Sequence, residues 1–130
     1  MILAKVEVAS AAKYAQDVAM GRHAMKADEP ERLGGADSGP APYQILLASL
    51  GACTSITLRM YAERKGWELG TVRIALSLAR DEAGAETIAR EISVSSPLTD
   101  EQRARLLEIA GKTPVTKTLL KGVAIDSRFA

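Results

Sequence analysis

Between Pro42 and Lys65 the chain carries an almost uninterrupted apolar run, PYQILLASLGACTSITLRMYAERK. Its large residues Ile45, Leu46, Leu47, Leu50, Ile56, Leu58 and Met60 fall on every side of a helical wheel, a pattern normal for a buried helix. At about 1.5 Å per residue the helix is about 36 Å long, the width of a compact domain. Charges close the run at Arg59, Glu63, Arg64 and Lys65, and small residues interrupt it, so it reads as a core helix and not as a bilayer span.

Upstream, residues 2 to 8 alternate Ile2, Ala4, Val6 and Val8 against Leu3, Lys5 and Glu7, a period of two that predicts a half-buried strand. A run from Lys13 to Met20, then Gly21-Arg22 and His23 to Ala27, predicts a hairpin on a two-residue type II′ turn with Arg22 at its tip. The stretch DEPERLGGADSGPAP reads as a loop that ends on Pro42, suited to the first helical position. Ala41 at the N-cap offers no side-chain acceptor, so packing has to support the helix start.

Downstream, Gly66 follows Arg64 and Lys65 and ends the helix. Alternating runs at Val72–Leu78 and Ile88–Val94, joined through Gly84, predict a second hairpin in which Arg90 breaks the apolar face. Arg90 therefore either marks an edge or points its charge into a site. Thr99 and Gln102 have capping-box spacing and open an amphipathic helix that Gly111 closes. Thr113-Pro114 starts a short helix to about Leu120, and a final strand is expected at Val123–Ile125.

These elements predict a single α+β domain over residues 1–130, with a mostly antiparallel sheet wrapped on a long buried central helix. One sheet and two short helices cannot cover a helix that is apolar all round. An intertwined homodimer packing through Ala48, Ala52 and Ser55 is the expected remedy.

The balance of 17 basic against 16 acidic residues gives no electrostatic footprint for nucleic acid or for an anionic membrane, and neither partner is expected. No secretion signal is read at the N-terminus, and a single cysteine suits a reducing compartment, so the cytoplasm is the expected location.

Cys53 is the one strong nucleophile this composition offers. Ser49 and Thr57, one turn to either side, give it a small polar strip that could line a pocket. The alternative is a buried thiol acting as a small hydrophobe. Cys53 lies three turns into the helix, so a cation activating it has to come from elsewhere, and Arg22 and Arg90 are the candidates. Most arginines are simply solvent-facing, and each reads first as that, Arg22 at a hairpin tip and Arg90 on an edge strand. Tyr43 and Gln44, in the first helical turn, could orient a ligand or could cap and pack. One histidine, His23, with one distant cysteine makes no metal-site spacing, no glycine-rich nucleotide loop is present, and no metal or cofactor is expected.

The segment GGADSGPAPYQILLASLGACTSITLRMYAERKGW resembles the signature of the OsmC/Ohr family, the osmotically induced and organic hydroperoxide resistance proteins, and most closely its OsmC-like branch. The resemblance implies an intertwined homodimer and, in active members, a thiol peroxidase in which one cysteine attacks the peroxide and a second resolves the sulfenic acid. Cys53 falls on the attacking position and Arg22 is the nearest match to the family's catalytic arginine. Thr113 stands in place of the resolving cysteine and Thr116 in place of a frequent histidine. Tyr43 replaces the glutamate that anchors the arginine in peroxidase members. Two functions follow as expectations: a one-cysteine reductase of organic hydroperoxides that uses an external thiol, or a non-redox dimer that binds a small apolar ligand.

Overall fold

Described from Met1 to Ala130 in a computed structural model, the chain forms two antiparallel sheets and three α-helices. It divides into two compact units, Met1–Leu46 and Leu47–Ala130.

The first unit holds a three-stranded meander of β1 (Glu7–Ala9), β2 (Gln16–Met20) and β3 (His23–Ala27). Of the two residues linking β2 to β3, only Gly21 takes a positive φ, 60°, as the type II′ reading requires. The first strand is much shorter than its alternation predicts. Glu7 pairs with Ala19 and β2 ends at Met20, so residues 2–5 have no strand to lie against, and Ile2, Leu3 and Val6 stand exposed. β2 likewise begins at Gln16 and not at Lys13, whose φ of 56° belongs to a turn.

The loop after β3 is built around a carboxylate. Asp28 is buried, and its Oδ1 accepts from the Glu29 amide at 2.8 Å. Its Oδ2 accepts from the Ala36 amide at 3.2 Å, the Ser38 amide at 3.1 Å and the Ser38 hydroxyl at 2.7 Å. These donors, the Ser38 hydroxyl foremost, outweigh burial and lower the Asp28 carboxyl from its ordinary 3.8 to about 2. At the loop's end Gln44 Oε1 accepts from the Ala41 amide at 2.9 Å, which supplies half of a capping box to a helix whose N-cap residue has no acceptor of its own.

The 24-residue helix α1 (Pro42–Lys65) has the bounds its sequence predicts. Its burial differs from the expectation. Leu50, Gly51, Thr54, Leu58 and Ala62 are buried, whereas Ala48, Ala52, Ile56 and Met60, also four apart, form an exposed row. One chain covers one face only, because its second unit offers a two-stranded sheet and short helices on that side. The sheet is β4 (Val72–Arg80) with β5 (Glu86–Val94), followed by α2 (Asp100–Ala110) and α3 (Pro114–Lys121).

Leu58, Ala62, Leu69, Leu106 and Ala110 form the core of this unit, with Trp67, Val72, Ile92 and Val94 packed around it. Gly51 lets α1 approach β4, since a Cβ there would lie 2.8 Å from Leu76 Cδ1. Thr99 and Gln102 exchange both bonds of the capping box that starts α2. The strand expected at Val123–Ile125 does not form: the chain is irregular and exposed beyond Lys121, with no strand beside it to complete a ladder.

Candidate functional site

Along the buried face of α1, Thr54 is the polar member of a row otherwise made of Leu50, Leu58 and Ala62. Its hydroxyl donates to the Leu50 carbonyl one turn back, at 2.7 Å. That bond commits its proton and turns a lone pair toward the sheet. On β5, Arg90 pairs across from Leu76, the residue that meets Gly51, so period-two alternation aims the arginine at the same helix.

The guanidinium gathers three acceptors from three elements. Nη1 donates to Thr54 Oγ1 and to Thr116 Oγ1, each at 2.9 Å, and Nη2 donates to the Ala110 carbonyl at 2.9 Å. Ala110 is the last residue of α2, where carbonyls lack helical partners, and α2 has no basic residue in its own last turn. Arg90 supplies that cation from the neighbouring sheet. Thr113 and Thr116, both buried, lie 2.7 Å apart through their hydroxyls. Thr113 consequently leaves α3 without the side-chain N-cap expected of it.

Beside this cluster opens a cavity of about 330 Å³ lined by Leu50, Ile88, Arg90, Leu107, Thr116, Leu119 and Leu120. Arg90 thus lines this cavity while standing on β5, itself an edge of the two-stranded sheet. The structure brings Arg90, Thr113 and Thr116 together and adds Thr54 and the Ala110 carbonyl, which sequence reasoning missed. The available signal was the four-residue spacing of Thr54 from Leu50 and Leu58.

Cys53, next in sequence to Thr54, is half-buried and carries a free thiol. Ser49 is exposed and Thr57 half-buried, and neither lines the Arg90 cavity. Gln44 caps α1, while Tyr43 is exposed in the first turn. Arg22 sits exposed at the β2–β3 turn of the first unit.

Residues 35–128 match the profile of the family described as OsmC-like protein. No curated protein matches the chain by sequence. Among solved structures, an OsmC-like protein from Mycoplasma pneumoniae is similar with a TM-score of 0.77 at 17% identity, over 90% of this chain and 86% of that one. An organic hydroperoxide resistance protein OsmC from Legionella pneumophila gives 0.66 at 18% identity, covering 92% of this chain and 90% of the other. The organic hydroperoxide resistance protein OhrB of Bacillus subtilis gives 0.62 at 23% identity, with 90% of each chain covered. At these identities the likeness establishes the fold.

Proposed function

The chain belongs to the OsmC-like protein family, and we propose that it reduces organic hydroperoxides in the cytoplasm as a homodimer, using Cys53 as its only redox residue and an external thiol as reductant. The observation that carries this reading is a free, half-buried thiol on α1, inside the segment that matches the OsmC-like family. In the proposed step the Cys53 thiolate attacks one peroxide oxygen, an S–O bond forms, the O–O bond breaks, and the leaving alkoxide takes up a proton to become an alcohol. An external thiol then condenses with the sulfenic acid, releasing water, and a second thiol reduces the mixed disulfide.

The homodimer supplies what one chain lacks. The exposed row Ala48, Ala52, Ile56 and Met60 is the face that a second α1 would cover, and its small members permit close approach. Length and composition alone would let α1 cross a membrane. We read it as a packed helix because Gly51 and Thr54 tie it to β4 and β5.

A second reading has the chain bind a small, largely apolar ligand without turnover. The observation favouring it is that Thr113 and Thr116 are buried and bonded to each other, with Thr116 also accepting from Arg90, beside a leucine-walled cavity. Hydroperoxide consumption with a dithiol, lost in Cys53→Ala, supports the first reading. If wild-type protein consumes none and no sulfenic acid can be trapped at Cys53, the second stands.

A further inference from the structure

Arg90 is under-used by the fold that holds it. A guanidinium has five N–H donors. Three are engaged, all by neutral oxygens: Thr54, Thr116 and the Ala110 carbonyl. None of the chain's ion pairs includes Arg90. The Nε–H and the second Nη2–H have no protein acceptor, yet no buried side-chain nitrogen or oxygen lacks a partner. Nε, which has no partner, is therefore not buried and is reachable from outside, and Arg90 lines the leucine-walled cavity.

Apart from Thr116, the rest of that wall is aliphatic: Leu50, Ile88, Leu107, Leu119 and Leu120. A lone cation held by hydroxyls in an apolar wall favours a ligand with one negative charge and a hydrocarbon body. A carboxylate can accept two N–H bonds from one guanidinium, which a hydroxyl or hydroperoxide end cannot match. The cavity of about 330 Å³ falls at the small end of ligand sites. At about 30 Å³ per water-sized atom it has room for roughly ten carbon and oxygen atoms, an acyl chain of about eight carbons.

We propose that the Arg90 cavity binds an aliphatic monocarboxylate of medium chain length, the carboxylate on the free edge of Arg90 and the chain along Leu107, Leu119 and Leu120. This deepens the ligand-binding reading above by naming the ligand's class, and it does not require turnover at Cys53.

Calorimetric titration with octanoate, 1-octanol and acetate tests it. Octanoate should bind wild-type protein and Cys53→Ser alike, with octanol and acetate each at least tenfold weaker. Arg90→Met should abolish octanoate binding. Because that variant also loses fold contacts, Leu120→Glu serves as the second probe: Leu120 is 80% exposed, so the change should leave the melting temperature unaltered while its charge weakens octanoate at least tenfold. Equal binding of octanol and octanoate, or undiminished binding in Leu120→Glu, would overturn the proposal. Absence of octanoate binding up to millimolar concentration, in protein that still consumes hydroperoxide, would remove this site and leave the peroxidase reading intact. Octanoate binding without hydroperoxide consumption would support the site and reject turnover.

Discussion

Arg90 on β5 closes the C-terminus of α2 by donating to the carbonyl of Ala110 at 2.9 Å, across 20 residues of sequence. The same guanidinium reaches Thr54 on α1. Removing it takes a donor from each of three acceptors in a part-buried site, the Ala110 carbonyl keeping only the longer bond from Thr116 Oγ1 at 3.3 Å. Arg90→Met is expected to lower stability by about 2–4 kcal/mol, since bonds to charged groups contribute about 1.5–3 kcal/mol each and part of this is regained from water. Urea unfolding measures it, with Arg90→Lys recovering only part of the loss because one ammonium cannot span the three acceptors.

Thr54→Val keeps the shape of the buried side chain and removes its oxygen. A cost of about 1–3 kcal/mol is expected from the donor left behind on Arg90. In a double-mutant cycle with Arg90→Met the two losses should fall short of additivity by at least about 0.5 kcal/mol. Additive losses would mean that the bond contributes nothing.

Asp28 predicts an acid transition confined to its loop. Its carboxyl is depressed from 3.8 to about 2, so the stabilisation is fully present above pH 3.8 and is lost as pH falls through about 2. Amide signals of Glu29, Ala36 and Ser38 should shift together over that window, and Asp28→Asn should remove the response.

Two glycines separate steric cost from backbone strain. A Cβ on Gly35 would lie 1.9 Å from the Glu29 carbonyl oxygen, an overlap with backbone that no rotamer relieves. At Gly84 the space is open but φ is 90°. Gly84→Ala should cost about 1–2 kcal/mol, the usual penalty of a left-handed residue. Gly35→Ala should cost more and should displace the loop, which thermal melts of the two variants will rank.

The proposed homodimer makes Ile56 its probe. Ile56 is 54% exposed in the single chain and lies in the row opposite the core face. Ile56→Glu should therefore leave helix content unchanged and shift sedimentation from dimer toward monomer at micromolar concentration. Wild-type protein sedimenting as a monomer would remove the dimer from the reading.

Local grammar was the legible part of the sequence. Pro42, the basic last turn and Gly66 bounded α1 correctly, and Thr99 with Gln102 announced α2 because capping is a contact between residues three apart. Partner-dependent features were not legible. Val123 and Ile125 alternate as a strand should, yet a ladder needs a neighbour that the pattern cannot reveal. Thr113 has the composition of an N-cap, but Thr116 took its hydroxyl. Arg90 announced itself as an anomaly on an apolar face, while its acceptors lie 20, 26 and 36 residues away, beyond any spacing rule.

The last turn of α2 is only partly completed locally, by the Thr116 hydroxyl donating to the Ala110 carbonyl at 3.3 Å. Its terminal carbonyl gains its cation only after β5 has docked, and β5 is held by a threonine on α1. Helix end, strand and core helix therefore behave as one latch. Native-state hydrogen exchange should find the amides of α3's first turn, the centre of β5 and the helix around Thr54 opening at a common free energy, while the meander that ends at Ala27 exchanges on its own schedule.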